Sequence, residues 1–286
     1  MTPLERAKGR AATMWWWSSA RSTNATLRVV AFALAALAAV AFGACSDDAG
    51  EPRRVSRASE WAALVESKRA LDAQRQALTR LRGRLDAAPV DAAGAPLGDA
   101  TALAAETDAL ERSVAARSAA LGERLVRYVA DDAPRPGETP APEVQRAIRM
   151  KSDEDVEVAT DWIERGGDYR RAIEICETQR RVDPGYARLE AALERAREMR
   201  YVTAERFARV ETGMTPPEVK AALGPVNLRE VRRLPAEQLQ AWYYPKADGG
   251  RAGVYFRYDP ARHVFRVYQT ALAAGAASPV PSSPTS

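Results

Sequence analysis

Histidine and cysteine are almost absent from this sequence. Among 286 residues there is one histidine, His263, and there are two cysteines, Cys45 and Cys176. That scarcity argues against Cys/His metal sites and against histidine acid–base chemistry. The chain also lacks a glycine-rich phosphate loop, a nucleophile elbow and any cluster of ligand residues. No metal, no cofactor and no catalytic residue is therefore expected, and the chain does not read as an enzyme. The acidic run Asp153-Glu154-Asp155 sits near a helix start, where carboxylates favour the helix dipole. Nor is there an excess of one charge. Five of the 42 basic residues and one of the 38 acidic ones precede Cys45, so the remainder balances at 37 of each. Nucleic acid is thus not an expected partner.

A long hydrophobic run is missing too. The longest, Val29 to Phe42, is short for a permanent helix across a ~30 Å hydrocarbon core. With Arg21 and Arg28 ahead of it and small residues at its end, it has the build of a secretory signal peptide. It closes on Phe42-Gly43-Ala44-Cys45-Ser46. These residues resemble a lipobox, where bacterial lipoproteins are cut before a cysteine that carries lipid. Phe42 stands where that family prefers leucine. A thiol can take a thioether-linked lipid, which makes Cys45 the expected lipidation site and membrane anchor. A plain signal peptide cut near Ala44 is the other reading. Translation starts at Met1 or Met14. A Cys45–Cys176 disulfide is formally possible, but Cys176 reads as a small core residue on an apolar helix face.

The expected organisation is a signal peptide over 1–44, a polar tether over 45–57 and helical segments over 58–130. A Pro-rich acidic linker follows over 131–142, then helices over 143–200, an α+β domain over 201–271 and a disordered tail over 272–286. The fold class is mainly α with a C-terminal α+β domain. Within 58–85, Leu64, Leu71, Leu78 and Leu85 recur every seven residues, while Lys68, Arg75 and Arg82 occupy the second seam. That makes a single heptad line. Pro89, Gly94, Pro96 and Gly98 break the helix. A second stripe follows at Leu103, Leu110, Val114, Leu121, Leu125 and Tyr128. An antiparallel hairpin and a dimeric coiled coil both fit.

Further on, Gly167-Asp168-Tyr169, Ala172-Ile173 and Asp183-Pro184 fall at the spacing of a tetratricopeptide repeat, and residues 153–184 resemble one. Gln179 and Thr160 stand where that family has small residues. A helix over 185–200 resembles the start of a next repeat or a cap. One repeat cannot bury its own apolar face, so this hairpin must pack on neighbours.

In the C-terminal part, Thr215 and Glu218 form a capping box, with Pro216 at the first helical position. Short helices are expected near 203–210 and 215–223. Strands are expected at 239–244, 252–258 and 263–270, with an extra edge segment at 226–232. Two short helices would then cover a three-stranded antiparallel sheet. Gly213-Met214-Thr215, Val219, Leu223-Gly224, Trp242 with Tyr244, and Val254-Tyr255-Phe256 together resemble the SmpA/OmlA (BamE-like) family of outer-membrane lipoproteins, over about a quarter of the chain. Gly224 and Pro225 are adjacent here, where the family has an intervening residue. Strand alternation puts Trp242, Tyr244, Val254 and Phe256 on the buried face. Tyr243, Tyr255, Arg257, Arg266 and Tyr268 then form an exposed face rich in the residue types enriched at protein interfaces.

The resemblance implies a lipid-anchored protein at the periplasmic face of the outer membrane. Its expected partners are other envelope proteins, among them the β-barrel assembly machine. The expected function is a non-catalytic interaction scaffold in outer-membrane assembly or envelope integrity. A periplasmic inhibitor or ligand-binding module of similar α+β fold is the alternative.

Overall fold

The computed structural model describes residues 50–133 and 138–273. The signal peptide, Cys45, part of the linker and most of the tail lie outside the described residues. The chain divides into the units Met1–Val55 and Ser56–Ser286. The first contributes only the opening turns of helix α1 to the described residues, and all other elements belong to the second.

Helices α1 (Gly50–Asp86), α2 (Ala100–Ala130) and α3 (Pro142–Gly166) form a three-helix bundle. α2 runs antiparallel to α1. The Arg57 guanidinium donates to the Tyr128 carbonyl at one end (3.1 Å), and Arg82 meets Glu111 at the other (2.8 Å). Leu64, Leu71 and Leu78 bury against Val114, Leu121, Leu125 and Tyr128 of α2 and Ala147 of α3. Each buried leucine contributes roughly 1.5–3 kcal/mol.

The second seam is filled by charge. Arg75 grips Glu154 of α3 through two parallel contacts of 2.9 Å, with the Ser118 hydroxyl 3.1 Å from the guanidinium and Lys68 3.1 Å from the carboxylate. One heptad further along α1, Arg82 reaches Asp161 (2.8 Å) and Glu111 (2.8 Å). The heptad spacing of Arg75 and Arg82 is thus answered by Glu154 and Asp161 on α3 and by Ser118 and Glu111 on α2. Glu154 is 2% exposed, and bidentate pairing is what makes a carboxylate tolerable there.

Helix α3 runs on into α4 (Tyr169–Arg180) and α5 (Ala187–Met199). Gly167 ends α3 in the left-handed conformation (φ 58), and the Asp168 carboxylate caps α4 by accepting from the Arg171 N–H at 3.0 Å. A second core joins Val156, Ala159, Ala172, Ile173, Cys176, Leu189, Leu193 and Ala196. Burial holds the Cys176 thiol up at about 11, an inert core residue. The likeness to a tetratricopeptide repeat departs in detail. α3 has 25 residues and begins at Pro142, well before 153. Gln179 is buried, and its amide donates to Ser152 (3.0 Å), whose hydroxyl donates to Asp183 (2.7 Å). A polar chain therefore stands where a small residue would allow close helix packing.

The C-terminal part places the short helices α6 (Ala204–Phe207) and α7 (Pro216–Leu223) on an antiparallel sheet. The sheet has four strands, one more than the sequence led us to expect. β1 (Val231–Leu234), β2 (Leu239–Pro245), β3 (Arg251–Asp259) and β4 (Val264–Ala271) form a meander in sequence order. The expected edge segment begins instead as a 3-10 turn, Leu228–Glu230, and only then extends. The inner face carries Trp242, Tyr244, Val254, Phe256, Tyr258, Phe265 and Val267, packed on Phe207, Val219 and Leu223.

The segments read as successive domains share one compact unit from Ser56 onward. The connector between α1 and α2 packs Val90 and Ala92 onto the sheet core. The Val90 N–H donates to the His263 carbonyl, and the Tyr258 hydroxyl meets the Val90 carbonyl, both at 2.9 Å. The α3–α4 corner docks as closely. A Cβ on Gly167 would lie 2.4 Å from the Val226 backbone, and one on Gly224 2.4 Å from the Tyr169 hydroxyl. Gly167→Ala should therefore cost roughly 1–3 kcal/mol from the backbone conformation alone, and more from the clash. Urea unfolding checks this. A variant as stable as the wild type would mean that the corner does not dock this tightly.

Candidate protein-binding face

The face expected to bind partners lies on the side of the sheet opposite α6 and α7. Strand alternation and register fix its members. Tyr243 pairs with Gly253, Ala241 with Tyr255, and Leu239 with Arg257. A bulge between Tyr255 and Phe256 shifts the β3–β4 register, so Tyr255 opposes Gln269 while Phe256 opposes Val267. Tyr268 is the residue left over, which brings its ring beside Tyr255.

Three tyrosines result in a row across β2, β3 and β4. Tyr243 and Tyr255 meet edge to face at 6.2 Å, and Tyr255 and Tyr268 lie 6.5 Å apart. The Arg257 guanidinium sits 4.8 Å from the centre of the Tyr268 ring. Burial, opposed by the Arg257 charge, raises the Tyr268 hydroxyl above its ordinary value.

Two residues of the expected set behave differently. Tyr255 is only 8% exposed. Its ring lies back over Gly253, so closely that a Cβ there would fall 2.8 Å from the Tyr255 hydroxyl. A ring covering a bare glycine in a strand is a stabilising device, so Tyr255 is part of the floor of the face rather than a free contact. Arg266 leaves the tyrosine row. Its guanidinium donates to the Gly213 carbonyl at 2.8 Å and lies 3.8 Å from Asp259.

That contact ties Arg266 to the Gly213-Met214-Thr215 turn. The Gly213 N–H donates to the Val267 carbonyl and the Val267 N–H donates to the Met214 carbonyl, both at 2.8 Å. The Gly213-Met214 turn thereby covers the free edge of β4 at Val267. The Glu218 carboxylate accepts from the Thr215 hydroxyl and backbone N–H, which holds it below the ordinary glutamate range. The Gly224 carbonyl accepts from the Tyr244 hydroxyl at 3.2 Å. Trp242 stacks on Phe256 at 4.8 Å inside the core.

β1 adds residues that the sequence did not assign to this face. Arg232 pairs with Ala241 and Leu234 with Leu239, and both Arg232 and Leu234 are exposed. Their membership follows only from the register of a strand that shows a single partly buried residue, Val231.

Among the described residues, no group of three or more His, Cys, Asp or Glu side chains is placed to hold a metal ion. A hollow lined by Glu190, Leu193, Glu194, Arg197 and Glu198 is a charged helix surface without a nucleophile. No described helix is long and apolar enough to cross a membrane. Compared with known proteins, the chain matches no family profile, no curated protein and no solved structure.

Proposed function

We propose that this chain is a non-catalytic, lipid-anchored envelope protein that acts as a protein–protein interaction scaffold. The observation that carries the reading is the tyrosine row with Arg257 stacked at its end, on the side of the sheet that α6 and α7 leave uncovered. Aromatic rings and guanidinium groups on a rigid surface are what protein interfaces are enriched in. The lipobox at Cys45 supports anchoring, and several acyl chains would make it stable. The order of motif residues from Gly213 to Phe256 supports kinship with SmpA/OmlA lipoproteins, hence a role in outer-membrane assembly or envelope integrity. The α3–α4 hairpin supports a repeat-like helical arm beside the sheet module.

Two measurements test this. Cys45→Ala should move the protein from the membrane to the soluble fraction and abolish labelled fatty-acid uptake. Retention of the variant on membranes, together with an unlabelled wild type, overturns the anchor. Tyr243→Ala with Arg257→Ala should leave the melting temperature nearly unchanged and remove crosslinked envelope proteins. Unchanged crosslinks would leave the face a solvated sheet surface.

A further inference from the structure

The two free edges of the sheet carry no docking site. β4 is covered at Val267 by the Gly213-Met214 turn. β1 presents Arg232 and Arg233, charges that guard an edge against strand addition. The outer face itself is more specific in its chemistry. β2 contributes no charged residue between Leu239 and Pro245. Arg232 and Arg257 are both exposed, and among the described residues neither forms an ion pair with a carboxylate. The one carboxylate on the face, Asp259, stands at the strand end beside Arg266. Glu237, in the turn before β2, is the acidic group whose charge bears on Tyr268. The face is therefore a tyrosine row with Arg257 at its Tyr268 end, and Arg232 lies across the uncharged β2 from Arg257.

The spacing is informative. Arg232 lies in the cross-strand row of Ala241 and Tyr255, and Arg257 is two residues further along β3. Two strand spacings and two residue rises put their backbones on the order of 12 Å apart. An extended peptide places residues i and i+4 on one side at about 13 Å. We propose that the outer face binds an extended acidic segment of a partner protein, with carboxylates four residues apart on Arg232 and Arg257, the residue between them over Ala241 and Leu239 of β2, and the tyrosine row alongside. This deepens the interaction reading above and rests on it. Charge complementarity of this kind sets partner choice and encounter rate, while the tyrosines supply apolar contact at low entropic cost.

The test uses the full chain and a labelled peptide with two glutamates four residues apart around a proline, followed by fluorescence anisotropy. A lysine version of the peptide is the control, with vesicles of phosphatidylcholine and phosphatidylglycerol as a further arm. The glutamate peptide should bind, more weakly as salt rises, and the lysine peptide should not. Arg257→Glu and Arg232→Glu should each weaken glutamate-peptide binding at least about tenfold, the scale of a lost charged contact. The double charge reversal should transfer binding to the lysine peptide, which no general loss of structure would produce. Equal binding of both peptides, or none of the glutamate peptide, overturns the proposal. So does binding that is confined to anionic vesicles and lost in the same variants, which would assign the face to lipid. If Tyr243→Ala with Arg257→Ala removes crosslinked proteins while the glutamate peptide fails to bind, the interaction reading stands and the acidic ligand falls.

Discussion

Arg75→Met is expected to destabilise the bundle by about 3–5 kcal/mol, because it strands Glu154 in the interior. Glu154 is 2% exposed, and both of its oxygens are held by Arg75 at 2.9 Å. Lys68 stays at 3.1 Å but reaches one oxygen only. Adding Glu154→Leu should return most of the loss, since replacing both members of a buried pair by apolar residues is close to neutral. Urea unfolding of both variants checks this, and a double variant no better than the single would overturn it. Acid provides a second readout. Burial alone would raise the Glu154 carboxyl, but the Arg75 hydrogen bonds and the Arg75 and Lys68 charges outweigh it and hold the group below its ordinary value. A depressed folded-state value means that the contribution is fully present above the unfolded glutamate range, about 4.3. It is lost as pH falls through the folded value. Burial raises the Asp155 carboxyl, which acts in the opposite sense. The difference between wild type and Glu154→Gln therefore isolates Glu154, and it should shrink below about pH 4.

Trp242→Ala should cost about 3–5 kcal/mol, the range for removing a large buried aromatic ring. Trp242 is 6% exposed and lies against Phe256, which is fully buried. The indole N–H finds no hydrogen-bond partner among the described residues. Trp242→Phe consequently gives up ring volume without breaking a hydrogen bond, and it relieves a buried unpaired donor that costs about 1–3 kcal/mol. It should lie far closer to wild type than the alanine variant. Chemical denaturation of the three proteins checks the order. A phenylalanine variant as unstable as the alanine one would mean that the N–H is paired after all.

The elements were largely legible in the sequence because their signals are local. The leucines at 64, 71 and 78, the caps at Gly167 and Thr215, and the alternation from Trp242 to Phe256 each fall within one helix or hairpin. What stayed hidden depends on residues far apart in the chain. Lys68, Arg75 and Arg82 read as gaps in a seam because their partners Glu154 and Asp161 lie 79 positions or more away. The Pro/Gly-rich stretch after α1 read as a breaker, since nothing local shows that Val90 meets His263. β1 was legible only as an uncertain edge because only one of its four residues, Val231, is even partly buried. On the candidate face, alternation grouped Tyr243, Tyr255, Arg257 and Tyr268. It could not reveal that Tyr255 folds over Gly253, nor that Arg266 is drawn to the Gly213 carbonyl.

The ladder along α1 also works as a ruler. Its marks repeat every seven residues, leucine on one line and cation on the other, and the facing helices carry matching marks. The marks on α2 are alike in spacing but not in chemistry, Glu111 and Ser118 on one line and Val114, Leu121 and Tyr128 on the other, so a slip of one division would exchange partners and weaken the contacts rather than abolish them all. The connector after α1 is the end stop. With Val90 bonded to His263 and Tyr258, and only the residues from Ala87 to Asp99 between the helices, α2 cannot advance by a heptad without pulling that strap off the sheet. The sheet thus reinforces, through one strap, the phase that the side-chain partners of the bundle select.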